Sequence, residues 1–133
     1  MKISCKYILF STLLLAGLTQ AQGDATTVRN LMKSVVIPQS DIVFAVGKKA
    51  PANDREWSQI AQSAAKLTEA AKALSARAPA SNAESWRKAS QAMADAAVRV
   101  GAGAKSKNAD AVLDAGDLLY ESCEGCHRQH LRK

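Results

Sequence analysis

Three side chains near the end of the chain are spaced for covalent chemistry: Cys123, Cys126 and His127, in the run Cys-Glu-Gly-Cys-His. Cys-x-x-Cys-His is the spacing that attaches a c-type haem, in which two thiols add across the vinyl groups on one porphyrin edge and the imidazole reaches the iron. On a helix these positions are i, i+3 and i+4, so all three side chains leave one face. Three other chemistries share the Cys-x-x-Cys core: a thioredoxin-like redox pair, a zinc ligand pair and a plain disulfide. A redox pair belongs near a strand-to-helix junction, and no strand-like run precedes Cys123. A zinc site would recruit Cys123, Cys126, His127 and His130 from two turns of one helix, which cannot readily surround a metal tetrahedrally. The spacing therefore favours haem.

The other end of the chain says where such a group would be attached. Lys2 and Lys6 form a basic start, Ile8 to Leu18 a short apolar run, and Thr19-Gln20-Ala21 supplies the small residues a signal peptidase reads. Residues 1–21 are expected to be a signal peptide cleaved after Ala21, with a domain at 22–133 exported to the periplasm. The apolar run is too short to span a bilayer stably, and no later run approaches the ~20 apolar residues of a membrane helix, so no membrane anchor is expected. Cleavage removes Cys5 and leaves only the two motif cysteines of the original 3. It also removes Lys2 and Lys6, taking the formal charge from +6 to +4. The basic residues are scattered along the chain, which gives a nucleic-acid surface little support.

The elements that must position the motif are read from periodicity and breaks. A first helix is predicted over about Ala25 to Gly47, with Val28, Leu31, Met32, Val35, Ile42, Val43 and Val46 on its stripe and a kink or short break at Pro38. A second starts at Asn53 or Asp54, where Asn53 and Glu56 suit a capping box, and carries Trp57, Ile60, Ala64, Leu67 and Leu74 to Ala78-Pro79. A third starts after Ser81, with Glu84 completing a second capping box, and weakens at Gly101 and Gly103. Gly101 to Lys107 is the expected flexible loop. A fourth runs from about Asn108 through Val112, Leu113, Gly116, Leu119, Tyr120, Cys123, Cys126 and His127 to Leu131, so the motif continues its core-facing stripe. Aromatics are only 5% and alanine is abundant, as in closely packed helices. The expected fold is all-α: an antiparallel four-helix bundle, up-down-up-down, with the haem attached near the end of the last helix.

Four helices with Cys-x-x-Cys-His at the end of the last resemble the class II c-type cytochromes, the cytochrome c prime family. The resemblance spans essentially the whole exported chain and includes Arg29 and Met32 early in helix one, Trp57 opening helix two, and Tyr120-x-x-Cys123-x-x-Cys126-His127 with a basic tail. It implies one covalent haem c, thioether bonds at Cys123 and Cys126, and His127 as proximal iron ligand. Members are exported single-haem proteins, often dimers through their first two helices, so a homodimer is among the expectations. The family often places Tyr-Arg after the haem His, whereas Gln129-His130-Leu131-Arg132 follows here. His130, one turn beyond His127, lies on the proximal side and cannot serve the opposite face of the ring.

The mechanism turns on the sixth iron position. Met/His ligation raises the potential and closes the iron for electron transfer, whereas a vacant site admits small gases. Met32 is the preferred sixth ligand, because it lies on the helix-one stripe near the family's distal Met position; Met93 reads as core filler. Arg29 suits a haem propionate, Tyr120 the haem edge, and Trp57 and Trp86 read as packing anchors. The expected function is a periplasmic one-electron carrier serving redox partner proteins, not an enzyme. The alternative is a five-coordinate protein of the prime type that binds nitric oxide or carbon monoxide beside Met32, Leu31 and Val35.

Overall fold

Residues 27–131 are described by the computed structural model, and they form four packed helical segments with no strand among them. The expected signal peptide, its cleavage site and a helix start near Ala25 lie outside the described residues. The first segment, α1, is a continuous helical run over 27–47. The break expected at Pro38 is absent, and the irregularity lies one turn upstream: Met32–Val36 form a widened π turn, after which Ile37–Phe44 is regular and Ala45–Gly47 tightens to a 3₁₀ end. A helical proline offers no N–H and crowds the carbonyl four residues back, here Ser34. The N–H of Ile37, the last donor before Pro38, bonds to the Met32 carbonyl five residues back instead of four. The wider turn accommodates the proline and the helix runs on.

The second segment, α2, spans Asp54–Ser75 and is capped as expected: the Asn53 side chain accepts from the Glu56 N–H at 3.0 Å. The Glu56 carboxylate accepts in turn from the Ala52 N–H at 2.8 Å and the Asn53 side-chain amide at 3.0 Å. The backbone donor at Ala52 holds the Glu56 carboxyl below its ordinary range.

The third, α3, spans Ala83–Lys105 and follows a 3₁₀ turn at Ala80–Asn82. The second capping box does not form. The cap is Asn82, its side chain makes no capping bond, and the Ser85 hydroxyl donates to the Asn82 carbonyl instead. The fourth, α4, spans Ala109–His130, with the Asn108 side chain accepting from the Ala111 N–H at 3.0 Å.

The expected Gly101–Lys107 loop is mostly helix. The connection shrinks to Ser106–Asn108, closed by Asn108 N–H to Gly103 and Lys107 N–H to Ala104 with Lys107 at φ 52°. That is a Schellman closure with lysine where glycine is commoner. Gly103 is buried and allows close approach: a β-carbon there would lie 3.0 Å from both the backbone nitrogen and a methyl of Val112. Because backbone cannot yield as a flexible side chain can, Gly103→Ala should destabilise the fold by ~1–3 kcal/mol, measured by chemical denaturation. An unchanged midpoint would show that the α3–α4 corner has slack.

The α3 helix packs extensively on both α2 and α4, whereas α1 packs on α2 and meets α4 through its last turns. Small side chains permit the close approach: Ala64, Ala71, Ala97 and Ala104 are buried with Leu67, Val100, Val112 and Leu119. Trp57 and Trp86 flank this core, and Met93 is buried in it, as the sequence led us to expect. The stripe of α4 is offset from expectation. Ala115 and Ser122 join Val112, Gly116 and Leu119 inside, whereas Leu113, Tyr120 and Leu131 are exposed. On α1, Val36 and Ser40 are buried, while Leu31, Met32 and Val35 are only partly covered.

Candidate functional site

The last two turns of α4 carry the motif. Cys123 and Cys126 are half-buried and not bonded to each other, and His127 is exposed. The core-facing stripe thus reaches Ser122 and thins out through the motif. Burial pushes the Cys123 thiol up, only partly offset by a hydrogen bond with Ser122. Burial also raises Cys126, with Cys123 beside it adding to the effect. A thioredoxin-like nucleophile needs the reverse, a lowered thiol pKa at a helix N-terminus. These thiols sit near a helix C-terminus, whose partial negative charge disfavours a thiolate.

His130 points elsewhere. Its ring packs edge-on against Trp86 with centroids 5.2 Å apart, and its Nε2 lies 3.3 Å from the Ser85 hydroxyl. The Trp86 indole N–H donates to the Leu74 carbonyl at the end of α2. Together these contacts fasten the last turn of α4 to the start of α3 and the end of α2. His130 is thereby engaged away from a zinc set with Cys123, Cys126 and His127, and among the described residues no group of three or more His, Cys, Asp or Glu side chains could hold a metal ion. Nothing in the local sequence around His130 signalled this role, because its partner Ser85 is 45 residues away.

Beside the motif, Tyr120 is 55% exposed and its ring meets Phe44 of α1 edge-on, centroids 6.4 Å apart. Its hydroxyl donates to Glu124 at 2.9 Å, and that bond to a carboxylate raises the tyrosine pKa. Arg128 lies 3.6 Å from the other Glu124 oxygen, so one exposed face of α4 carries a Tyr-Glu-Arg ladder. Further down the α1–α4 seam, the nearest side-chain atom to a β-carbon built on Gly116 would be Phe44, and on Gly47 it would be Leu113. Ile37, one heptad before Phe44, is 54% exposed. The seam between α1 and α4 is therefore sparsely packed, and it is lined by exposed apolar groups.

These residues fit a covalently attached haem. Two thiols one turn apart have no disulfide partner, an imidazole stands one residue beyond the second, and an incompletely covered apolar seam runs up to them. Cys123 and Cys126 would hold the porphyrin edge and His127 the iron. Met32 is half-buried at the start of the π turn, and Arg29 is exposed one turn earlier. Two surface grooves lie elsewhere. One, of about 460 Å³, runs between α1 and α2, and the other, of about 370 Å³, between α2 and α3. Compared with protein-family models, curated proteins and solved structures, the chain matches none, so its resemblance to the cytochrome c prime family rests on the residues quoted above.

Proposed function

We propose that this chain is an exported, single-haem c-type cytochrome that carries one electron between redox partner proteins. The observation that carries the proposal is the pair of unbridged thiols at Cys123 and Cys126 with His127 next in line, on the half-buried end of α4. When bound, the haem supplies a one-electron change at its iron. Cys123 and Cys126 would tether the ring, and His127 and Met32 would ligate its iron. The His130–Trp86–Leu74 contacts hold the end of α4 still, which keeps the His127 backbone in place through a change of charge.

The proposed arrangement of the helices is an antiparallel bundle, supported by the order of contacts. Gly47 is near Leu113 and Phe44 near Tyr120, so α1 and α4 are traversed in opposite senses. Trp86 reaches Leu74 while Gly101 lies near Ala64, and His130 reaches Ser85 while Gly103 lies near Val112. These three pairs have the same reversed order, which supports the antiparallel reading.

The five-coordinate alternative draws on one observation: Met32–Val36 packs chiefly on α2, and the sparse α1–α4 contact is concentrated in the later part of α1. Visible spectra of the ferric and ferrous protein, made with a cytochrome c maturation system, separate the readings. We expect a low-spin spectrum whose Met-to-iron feature disappears in Met32→Ala. A high-spin resting spectrum with rapid carbon monoxide binding would instead establish the gas-binding form, and a colourless product would end both.

A further inference from the structure

The π turn in α1 changes which way Met32 faces. At about 100° per residue, Val36 falls roughly 20° from Val43, and both are buried on the core line. Gly47 and Phe44 fall about 40° and 100° to one side, and they lie against Leu113, Gly116 and Tyr120 of α4. Gln39 falls about 40° to the other side, where it lines the groove against Lys66 and Glu69 of α2. The two flanks of α1 are thereby assigned to α4 and α2.

In a regular α-helix Met32 would fall about 20° from Val43, on the core line and slightly toward α2. The π turn contains one extra residue, which sets everything before it back by about one residue's rotation, roughly 100°. Met32 then lies about 80° round, on the flank that Phe44 presents to α4. Two observations follow the shifted register. Met32 is only half-buried whereas Val36 and Val43 are buried, and Ser34, though exposed, borders the groove against α2. Contacts along the seam run from Gly47–Leu113 to Phe44–Tyr120, so continuing toward Met32 on α1 leads toward Cys123 and His127 on α4.

We infer that Pro38 is a positioning residue: through the π turn it imposes at Met32–Val36, it turns the Met32 side chain off the core line and onto the flank of α1 that faces the motif helix. This rests on the proposed haem reading, in which Met32 and His127 would both ligate the iron. Pro38→Ala restores a donor and relieves the crowding at Ser34, so the variant has every reason to fold. In it the turn relaxes to α, Met32 swings back to the core line, and residue 33 takes the place Met32 held.

The test compares spectra of the wild type, Met32→Ala, Pro38→Ala and the triple variant Pro38→Ala/Met32→Leu/Lys33→Met, all as holoprotein. Loss of the Met-to-iron feature in Pro38→Ala and its return in the triple variant support the inference. Retention of the feature in Pro38→Ala overturns it while the Met32 assignment stands. Loss without rescue overturns it too, as a merely structural effect. A wild type lacking the feature, and unaltered in Met32→Ala, overturns the ligand assignment and this inference with it. A crystal structure of Pro38→Ala reads the backbone directly: an Ile37 N–H bonded to Lys33 supports the inference, and one still bonded to Met32 overturns it whatever the spectrum.

Discussion

A Cys123→Ser/Cys126→Ser variant, produced with a cytochrome c maturation system, is expected to lose all covalent haem: acid-acetone should extract any colour, leaving colourless protein. A serine hydroxyl does not form the thioether, and the two positions hold the only cysteines among the described residues, so no other thiol there can substitute. Each single variant should retain one tether and a lower yield. The fold should survive, because both positions are only half-buried and lie past the last buried residues of α4, Leu119 and Ser122. Far-UV circular dichroism on the same samples checks that. Colour resistant to extraction in the double variant would sink the haem-attachment reading.

The second large effect is expected at Leu119, which is 0% exposed and lies four residues before Cys123 on α4. Leu119→Ala removes a fully enclosed side chain from a core made mostly of alanine and valine, short side chains with little reach to fill the gap. A loss of ~3–4 kcal/mol is expected from the transfer and cavity costs together. For a domain of this size that lowers the melting temperature by roughly 15 °C. Because the same helix supports the motif, the variant should also retain less haem after a heating cycle than the wild type does. A change under about 1 kcal/mol by denaturant titration would mean that the α3–α4 core is loosely packed around Leu119.

The helices were legible from local signals. Asn53 with Glu56, and Asn108 before Ala109, mark starts that the structure places where capping predicts, because a cap is a bond between residues two or three apart. Ser81 with Glu84 looked the same and failed, because a 3₁₀ turn at Ala80–Asn82 delays the helix start. Gly103 was misread for a related reason. Read alone, a glycine weakens a helix, but here it lets Val112 of the next helix come close, and that contact keeps the helix intact to Lys105.

The same division runs through the candidate site. Cys123, Cys126 and His127 declare their chemistry in five consecutive residues, since a spacing of three and four on a helix needs no partner to set it. A stripe counted at 3.6 residues per turn assumes regular helix, and the π turn at Met32–Val36, one turn upstream of Pro38, departs from that assumption. The one sequence clue, the proline, predicts an irregularity without saying which form it takes.

Spacing, periodicity and caps are relations between near neighbours along the chain, so the sequence alone was enough for four helices, for a thiol pair with its histidine, and for the haem chemistry we propose. Which flank of α1 faces α4, how far the apolar seam beside Tyr120 is left open, and the clasp of His130 on Trp86 depend on residues far apart in the chain meeting in space. Those relations exist only once the helices have packed, because a side chain's direction is set by its own turn but its neighbours are set by the whole fold.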